Sequence, residues 1–279
     1  MISGTLRRVL WLFLLIACSG AAAYVHRTYG LRLPRFSYAS GWTLFALILL
    51  LTAYNCRKKV PFPVLHVLPQ ISSETWLQFH IYGGLFTGVL FCIHVSYRMP
   101  TGWFEGTLAW LYALVMVSGI IGLFLSRNTP KRLTNYGGEA LFERIPALRH
   151  QCKAGAETLA LKSVAEARSP AIGEFYLQHL KDFFDGPRHV WLHILGSQRP
   201  RNALLSKIDN LNRYLNPKER EILGELANFT RQKDGLDYHY SLQLLLKGWL
   251  FVHIPLTYSL LLFMLVHIVL VYGFSGGAR

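Results

Sequence analysis

Four histidines lie in stretches that are otherwise almost wholly apolar. HIYGGLFTGVLFCIH, residues 80–94, runs from His80 to His94, and HIPLTYSLLLFMLVH, residues 253–267, runs from His253 to His267. Placing an imidazole in hydrocarbon costs free energy, and ionisable groups there usually mark a function. In each stretch the two rings are fourteen residues apart, which is two heptads and about 21 Å of helix, so they share one face in a supercoiled bundle. Two such faces opposed would pair His80 with His253 at one level and His94 with His267 at another. Neutral imidazole ligates iron, and a porphyrin's apolar edge suits a bundle interior. The implied cofactors are two haems b, each iron with two axial nitrogens. The alternative is that each histidine only hydrogen-bonds a neighbouring helix. One histidine would favour that; two equal spacings do not.

Positioning these rings requires helices in lipid. The chain has 279 residues, 52% in the hydrophobic set, and a mean hydropathy of +0.28, the composition of a membrane protein. Charge-free runs cover residues 9–26, 36–56, 75–97, 106–126 and 248–278, each long enough to cross a hydrocarbon core of about 30 Å. They predict five transmembrane helices, near 9–25, 38–55, 76–97, 107–126 and 245–272. The third and fifth run in the same direction, so their histidines match in depth. Arg7 and Arg8, the apolar run from Val9 to Ile16 and Ala21-Ala22-Ala23 also fit a secretory signal; a retained helix is the expectation.

Residues beside the histidines extend the pattern. Four on from His80 and His253 lie Gly84 and Thr257, small residues on each ligand's own face that would give a haem clearance. Gly83, Gly88, Gly119 and Gly122 add small surface, which ordinary helix packing in a membrane also explains. Pro255 removes one backbone bond and can bend the fifth helix just past His253. Lys247 and Arg98, at opposite membrane edges, are placed to pair with haem propionates or to snorkel to headgroups. His66 and His239 repeat the spacing of fourteen before His80 and His253. Pro61, Pro63 and Pro69 make the segment around His66 irregular, so solvent-exposed or loop-bonded histidines are expected rather than a third haem.

Net charge is +14. Outside residues 127–240 there are eleven Lys/Arg and two acids, Glu74 and Glu105, which fits topology determinants and lipid-headgroup anchors rather than nucleic-acid binding. Arg7, Arg8, Arg57-Lys58-Lys59, Arg127, Lys131 and Arg132 outnumber the positives of the opposite side, Arg27, Arg32, Arg35, Arg98 and Arg279. The richer side is expected to be cytoplasmic, with the N-terminus and residues 127–240 inside, in a bacterial inner membrane. Cys18, Cys56, Cys92 and Cys152 form no CxxC, so a zinc ribbon, iron–sulfur cluster or covalent c-type haem lacks support; Cys92 reads as a small buried apolar residue.

Residues 127–240, with eighteen Lys/Arg against thirteen Asp/Glu, have the composition of a soluble, mainly helical insertion. Amphipathic helices are predicted near 138–152, 155–168, 171–184, 202–214 and 217–229, the last opened by Asn216-Pro217. Asp185-Gly186-Pro187 and Lys233-Asp234-Gly235 read as breaks, and HVWLHIL at 189–195 as a short strand or helical turn. With neither a GxGxxG loop nor a P-loop nor a cysteine cluster, the insertion reads as a helical docking platform.

Two histidines fourteen apart on one helix, paired with two on the next but one, resemble the di-haem four-helix bundle of cytochrome b. The arrangement is also similar to the membrane domain of ferric reductases and NADPH oxidases. The resemblance covers spans two to five and implies that His80, His94, His253 and His267 are axial ligands. The chain departs from cytochrome b in its extra first span and its insertion, and no quinol-site motif is evident. About a dozen residues follow His267, so a C-terminal flavin and nicotinamide domain is not expected. The expected fold is an all-α membrane protein. It comprises a first helix and outer loop (1–37), bundle helices two to four (38–126), the insertion (127–240) and the last bundle helix (241–279). The implied function is electron relay as a subunit of a membrane redox complex, between the quinone pool and a c-type cytochrome or iron–sulfur protein. The alternatives are a reductase of ferric iron or another small acceptor, and a haem- or metal-handling membrane protein.

Overall fold

The computed structural model describes residues 4–30, 36–56, 72–98, 100–134, 141–166 and 170–275. Every regular element among them is helical. The chain forms an integral membrane protein with five helices long and apolar enough to span a bilayer and a large helical insertion after the fourth. They are α1 (Gly4–Tyr29), α2 (Phe36–Cys56), α3 (Ser73–His94), α4 (Trp103–Thr134) and the final helix, α10 (Pro217–Ser275). With no water in the hydrocarbon, a spanning segment must satisfy its backbone internally, which a helix does. The outward faces carry large apolar side chains such as Phe13, Trp110 and Phe251.

The starts and stops follow local chemistry. Ser72 opens α3, its Oγ accepting the Thr75 amide at 3.2 Å. The helix ends at His94, three residues before the expected 97, because Ser96 and Tyr97 take left-handed backbone angles of φ 51° and 57°. There the Tyr97 amide closes onto the Cys92 carbonyl at 2.9 Å. α4 runs past its apolar stretch to Thr134 with Pro130 inside it, since meeting charges does not end a helix whose backbone bonds continue. Cys92 is exposed, not buried: an apolar side chain in a span is as well placed facing lipid as facing the core.

The chain divides into two units, residues 1–123 with 250–279, and residues 124–249. In the first, α3 packs against both α1 and α2. Trp11 of α1 stacks on Tyr82 of α3 with centroids 6.0 Å apart. The buried core joins α2 (Leu44, Ile48), α3 (Leu90), α4 (Tyr112) and α10 (Leu260, Met264).

The second unit holds a 3₁₀ turn (Phe142–Arg144), α5 (Ile145–Glu166), α6 (Ala171–Phe175), a π turn (Tyr176–Leu180), α7 (Lys181–Phe184), α8 (Val190–Ile194), α9 (Arg199–Asn212) and the first part of α10. Its apolar core gathers Ala156, Ile172, Leu180, Phe184, Leu223 and Leu226. HVWLHIL proves helical, entered from His189 at φ 57°. Asp185-Gly186-Pro187 separates α7 from α8, and Asn216-Pro217 does open α10, with the Asn216 amide bonded to Glu219 Oε2 at 2.8 Å.

Two expected breaks are absent. Helices 138–152 and 155–168 are one helix from Ile145, because Gly155 is a packing contact: a Cβ there would stand 2.5 Å from Phe229 Cζ. Lys233-Asp234-Gly235 does not interrupt α10, so the separate helix 217–229 is part of it. Tertiary pairing overrides the turn signal. Lys233 is fully buried, its Nζ 2.5 Å from Asp237 Oδ2 and 2.7 Å from the Gly186 carbonyl. Arg149 Nε approaches the other Asp237 oxygen at 2.8 Å, so one buried carboxylate faces two cations. His193 is buried too, with Nε2 3.6 Å from Asp234 Oδ1.

Removing one member of a buried charge cluster strands the others, at a cost of about 3–5 kcal/mol. Asp237→Ala is therefore expected to lower the thermal midpoint for loss of helicity markedly, and Gly155→Val to lower it by overpacking against Phe229. Burial pushes the His193 pKa below its ordinary 6.5, a shift that Asp234 and Asp237 oppose. The unfolded chain then binds the additional proton, so this contribution to stability is complete above about pH 6.5 and is lost as pH falls below it. The midpoint should drop between about pH 7.5 and pH 5.5, and His193→Gln should flatten that drop.

Candidate functional site

α3 and α10 present their histidines to one another inside the first unit. His94 and His267 have ring centroids 6.5 Å apart and planes at 88°. His80 and His253 are close enough to interact electrostatically. The ring contact of His94 with His267 is the one that the spacing anticipates.

The spacing of the His94–His267 pair is informative. Direct hydrogen bonding between two imidazoles would bring their nitrogens to about 3 Å and their centroids to roughly 5 Å. A metal held by both rings, at about 2.0–2.1 Å from each nitrogen, puts the centroids about 6.4 Å apart. Beside the pair lies a cavity of about 330 Å³, lined among others by Gly41, Phe45, Leu108, Met264, Ile268 and Val271. An edge-to-face ring pair at 6.5 Å is an ordinary aromatic contact and is also a separation that a shared metal allows.

Each of three histidines has its Nδ1 engaged by a helix that carries no histidine of the four. His80 Nδ1 lies 3.1 Å from the Leu51 carbonyl of α2. His94 Nδ1 lies 3.2 Å from Ser40 Oγ, also on α2, and His253 Nδ1 lies 3.2 Å from Ser118 Oγ on α4. A carbonyl only accepts, so His80 carries its hydrogen on Nδ1 and its lone pair on Nε2, the state in which imidazole binds a metal. Metal-ligating histidines usually donate their second N–H to such an acceptor.

Between the two levels the bundle is packed. Thr87, seven on from His80, is buried and bonds Tyr112 Oη at 3.0 Å. Leu260, seven on from His253, is buried at the same core. Phe91 stacks on Tyr112 with centroids 4.2 Å apart.

The remaining candidates are placed as follows. A Cβ on Gly84 would meet nothing within 4 Å, so the helix face beside His80 is open. Thr257 donates to the His253 carbonyl at 2.8 Å. Pro255 lies within α10, which continues past it. Arg98 is exposed just beyond the end of α3. Lys247 pairs with Glu143 at 3.0 Å and lies 3.8 Å over the Phe142 ring. His239 is helical and buried rather than exposed or loop-bonded, because this part of α10 is core to the second unit. His66 lies outside the described residues. Sequence reasoning missed Ser40, Leu51 and Ser118. Both serines precede a glycine, but Ser-Gly also occurs at 3–4, 19–20 and 275–276, so the dipeptide by itself does not single out Ser40 and Ser118.

No family model matches this chain, and no curated protein or solved structure matches it. Among the described residues no group of three or more His, Cys, Asp or Glu gathers into a metal-ion site. What the first unit brings together is imidazole in pairs.

Proposed function

We propose that this membrane protein is a di-haem electron carrier, with one haem b held by His80 and His253 and a second by His94 and His267. The observation that carries the reading is the 6.5 Å separation of the His94 and His267 rings. The engaged Nδ1 atoms of His80, His94 and His253 support it. A bis-histidine haem supplies reversible one-electron transfer, and with both axial positions filled it does not bind oxygen at iron. The chain's own residues hold and orient the ligands, pack the layer between the levels, and keep water from the rings with apolar walls.

The His80–His253 level is, in this reading, nearer the cytoplasm and the His94–His267 level nearer the opposite face, as the Lys and Arg bias supports. In this reading the chain is a subunit of a membrane redox complex that relays electrons between quinone and a partner redox protein. Arg98 is available at the outer rim for a propionate. Lys247, already paired with Glu143, would have to exchange partners to take that role.

The test is a reduced-minus-oxidised spectrum with haem quantitation on purified protein. Two low-spin haems b per chain are expected, and His94→Ala and His253→Ala should each lose about half of the haem. Well-folded wild-type protein without haem would overturn the reading.

A further inference from the structure

Two of the chain's five Ser-Gly dipeptides, 40–41 and 118–119, meet histidines. Ser40 Oγ and Ser118 Oγ each lie 3.2 Å from an Nδ1, that of His94 and that of His253. The glycine that follows each serine faces the same ring. A Cβ on Gly41 would stand 2.9 Å from His94 Cε1, and one on Gly119 would stand 3.8 Å from His253 Cε1. Ser40-Gly41 belongs to α2 and Ser118-Gly119 to α4, so one device occurs on two helices, each facing a different level.

At Ser40 the direction of the hydrogen bond follows from proton counting. Ser40 Oγ donates its only hydrogen to the Ser37 carbonyl at 3.0 Å. Toward His94 the oxygen is then an acceptor, beside the Ser37 carbonyl, which also hydrogen-bonds His94 and can only accept, so Nδ1 carries the hydrogen and Nε2 the lone pair. Both serines are themselves buried. Gly41 matters for a separate reason: any side chain there would enter the space of the His94 ring.

We propose that Ser40-Gly41 and Ser118-Gly119 are seats for axial ligands. The serine accepts the Nδ1 hydrogen, fixing tautomer and ring rotation, and at His94 the absence of a side chain on Gly41 lets the ring lie against the helix. This inference rests on the two-haem reading. Ser40 and Ser118 are positioning residues, acting through His94 and His253. Donation from Nδ1–H makes the imidazole a stronger base, which favours the ferric state, so each serine lowers the reduction potential of the haem at its own level.

A serine in a membrane helix also commonly bonds its own backbone, as Ser40 does, and this alone would make it a packing residue. A redox titration separates the two roles. Ser40→Ala and Ser118→Ala would be purified in full-length form, with helicity and haem content measured beside the titration. Each variant is expected to keep wild-type helicity and to show one haem titrating at a higher potential, a different one in each. That haem should also be held roughly 10–100-fold less tightly against an apo-protein haem scavenger. Ser40→Thr and Ser118→Thr, which retain the hydroxyl, should move both properties back toward wild type.

If both alanine variants bind two haems with unchanged potentials and unchanged retention, the seats are overturned while the di-haem reading stands. A haem-free wild-type protein overturns both.

Discussion

An imidazole inside a bilayer has two nitrogens and no water to satisfy either one. A buried unpaired polar group costs free energy on the scale of a lost hydrogen bond or more, so each ring must be answered by another helix. α2 answers twice on α3, with the Leu51 carbonyl at His80 and Ser40 Oγ at His94. α4 answers once on α10, with Ser118 Oγ at His253. Two helices without any of the four histidines are thereby tied to the two that carry them. Their acceptors take Nδ1, which directs the opposite edge of each ring away from the supporting helix.

The same constraint explains the layered interior. Along α3 and α10 the heptad positions read histidine, a core residue, histidine: His80, Thr87, His94 and His253, Leu260, His267. The middle position is where Leu44, Ile48, Leu90, Tyr112 and Met264 close the bundle. Thr87 is polar there but not orphaned, since its hydroxyl meets both the Gly84 carbonyl at 2.7 Å and Tyr112 Oη at 3.0 Å. A dense centre with polar rings on either side keeps the two levels distinct. It also supplies a short packed path between them, which an electron relay of the kind proposed would need.

The spans and the meeting of His94 with His267 were legible in the sequence because both are periodic and both follow from lipid. Apolar length sets a span, and fourteen residues set a shared face. The second unit was less legible. Lys233-Asp234-Gly235 has the local chemistry of a turn, yet it stays helical because Asp237, Gly186 and Phe183 give Lys233 buried partners that only tertiary structure can bring. The gap expected between 152 and 155 is absent, and Gly155 beside it is a contact with Phe229. The supporting residues of the site were hidden for a related reason. Leu51 acts through its carbonyl, which no side-chain pattern reveals, and a serine in an apolar helix ordinarily needs no explanation beyond its own backbone.

Donor number also weighs on what the paired rings are for. A bare zinc ion takes about four protein ligands in a structural site and three in a catalytic one. Among the described residues no group of three or more His, Cys, Asp or Glu gathers around the rings, and Ser40, Leu51 and Ser118 are engaged with the rings themselves. Two opposed nitrogens suit a metal whose equatorial positions are filled by something the protein does not supply, as a porphyrin fills them. Transport of a free ion would further require ligands that let go, whereas three of these four rings are braced from behind. Bracing restricts ring motion, and a redox centre benefits from this because a rigid ligand set changes little when the metal changes charge. On the proposed reading, the donor count and the bracing suit a resident, planar-ligated metal better than a passing one.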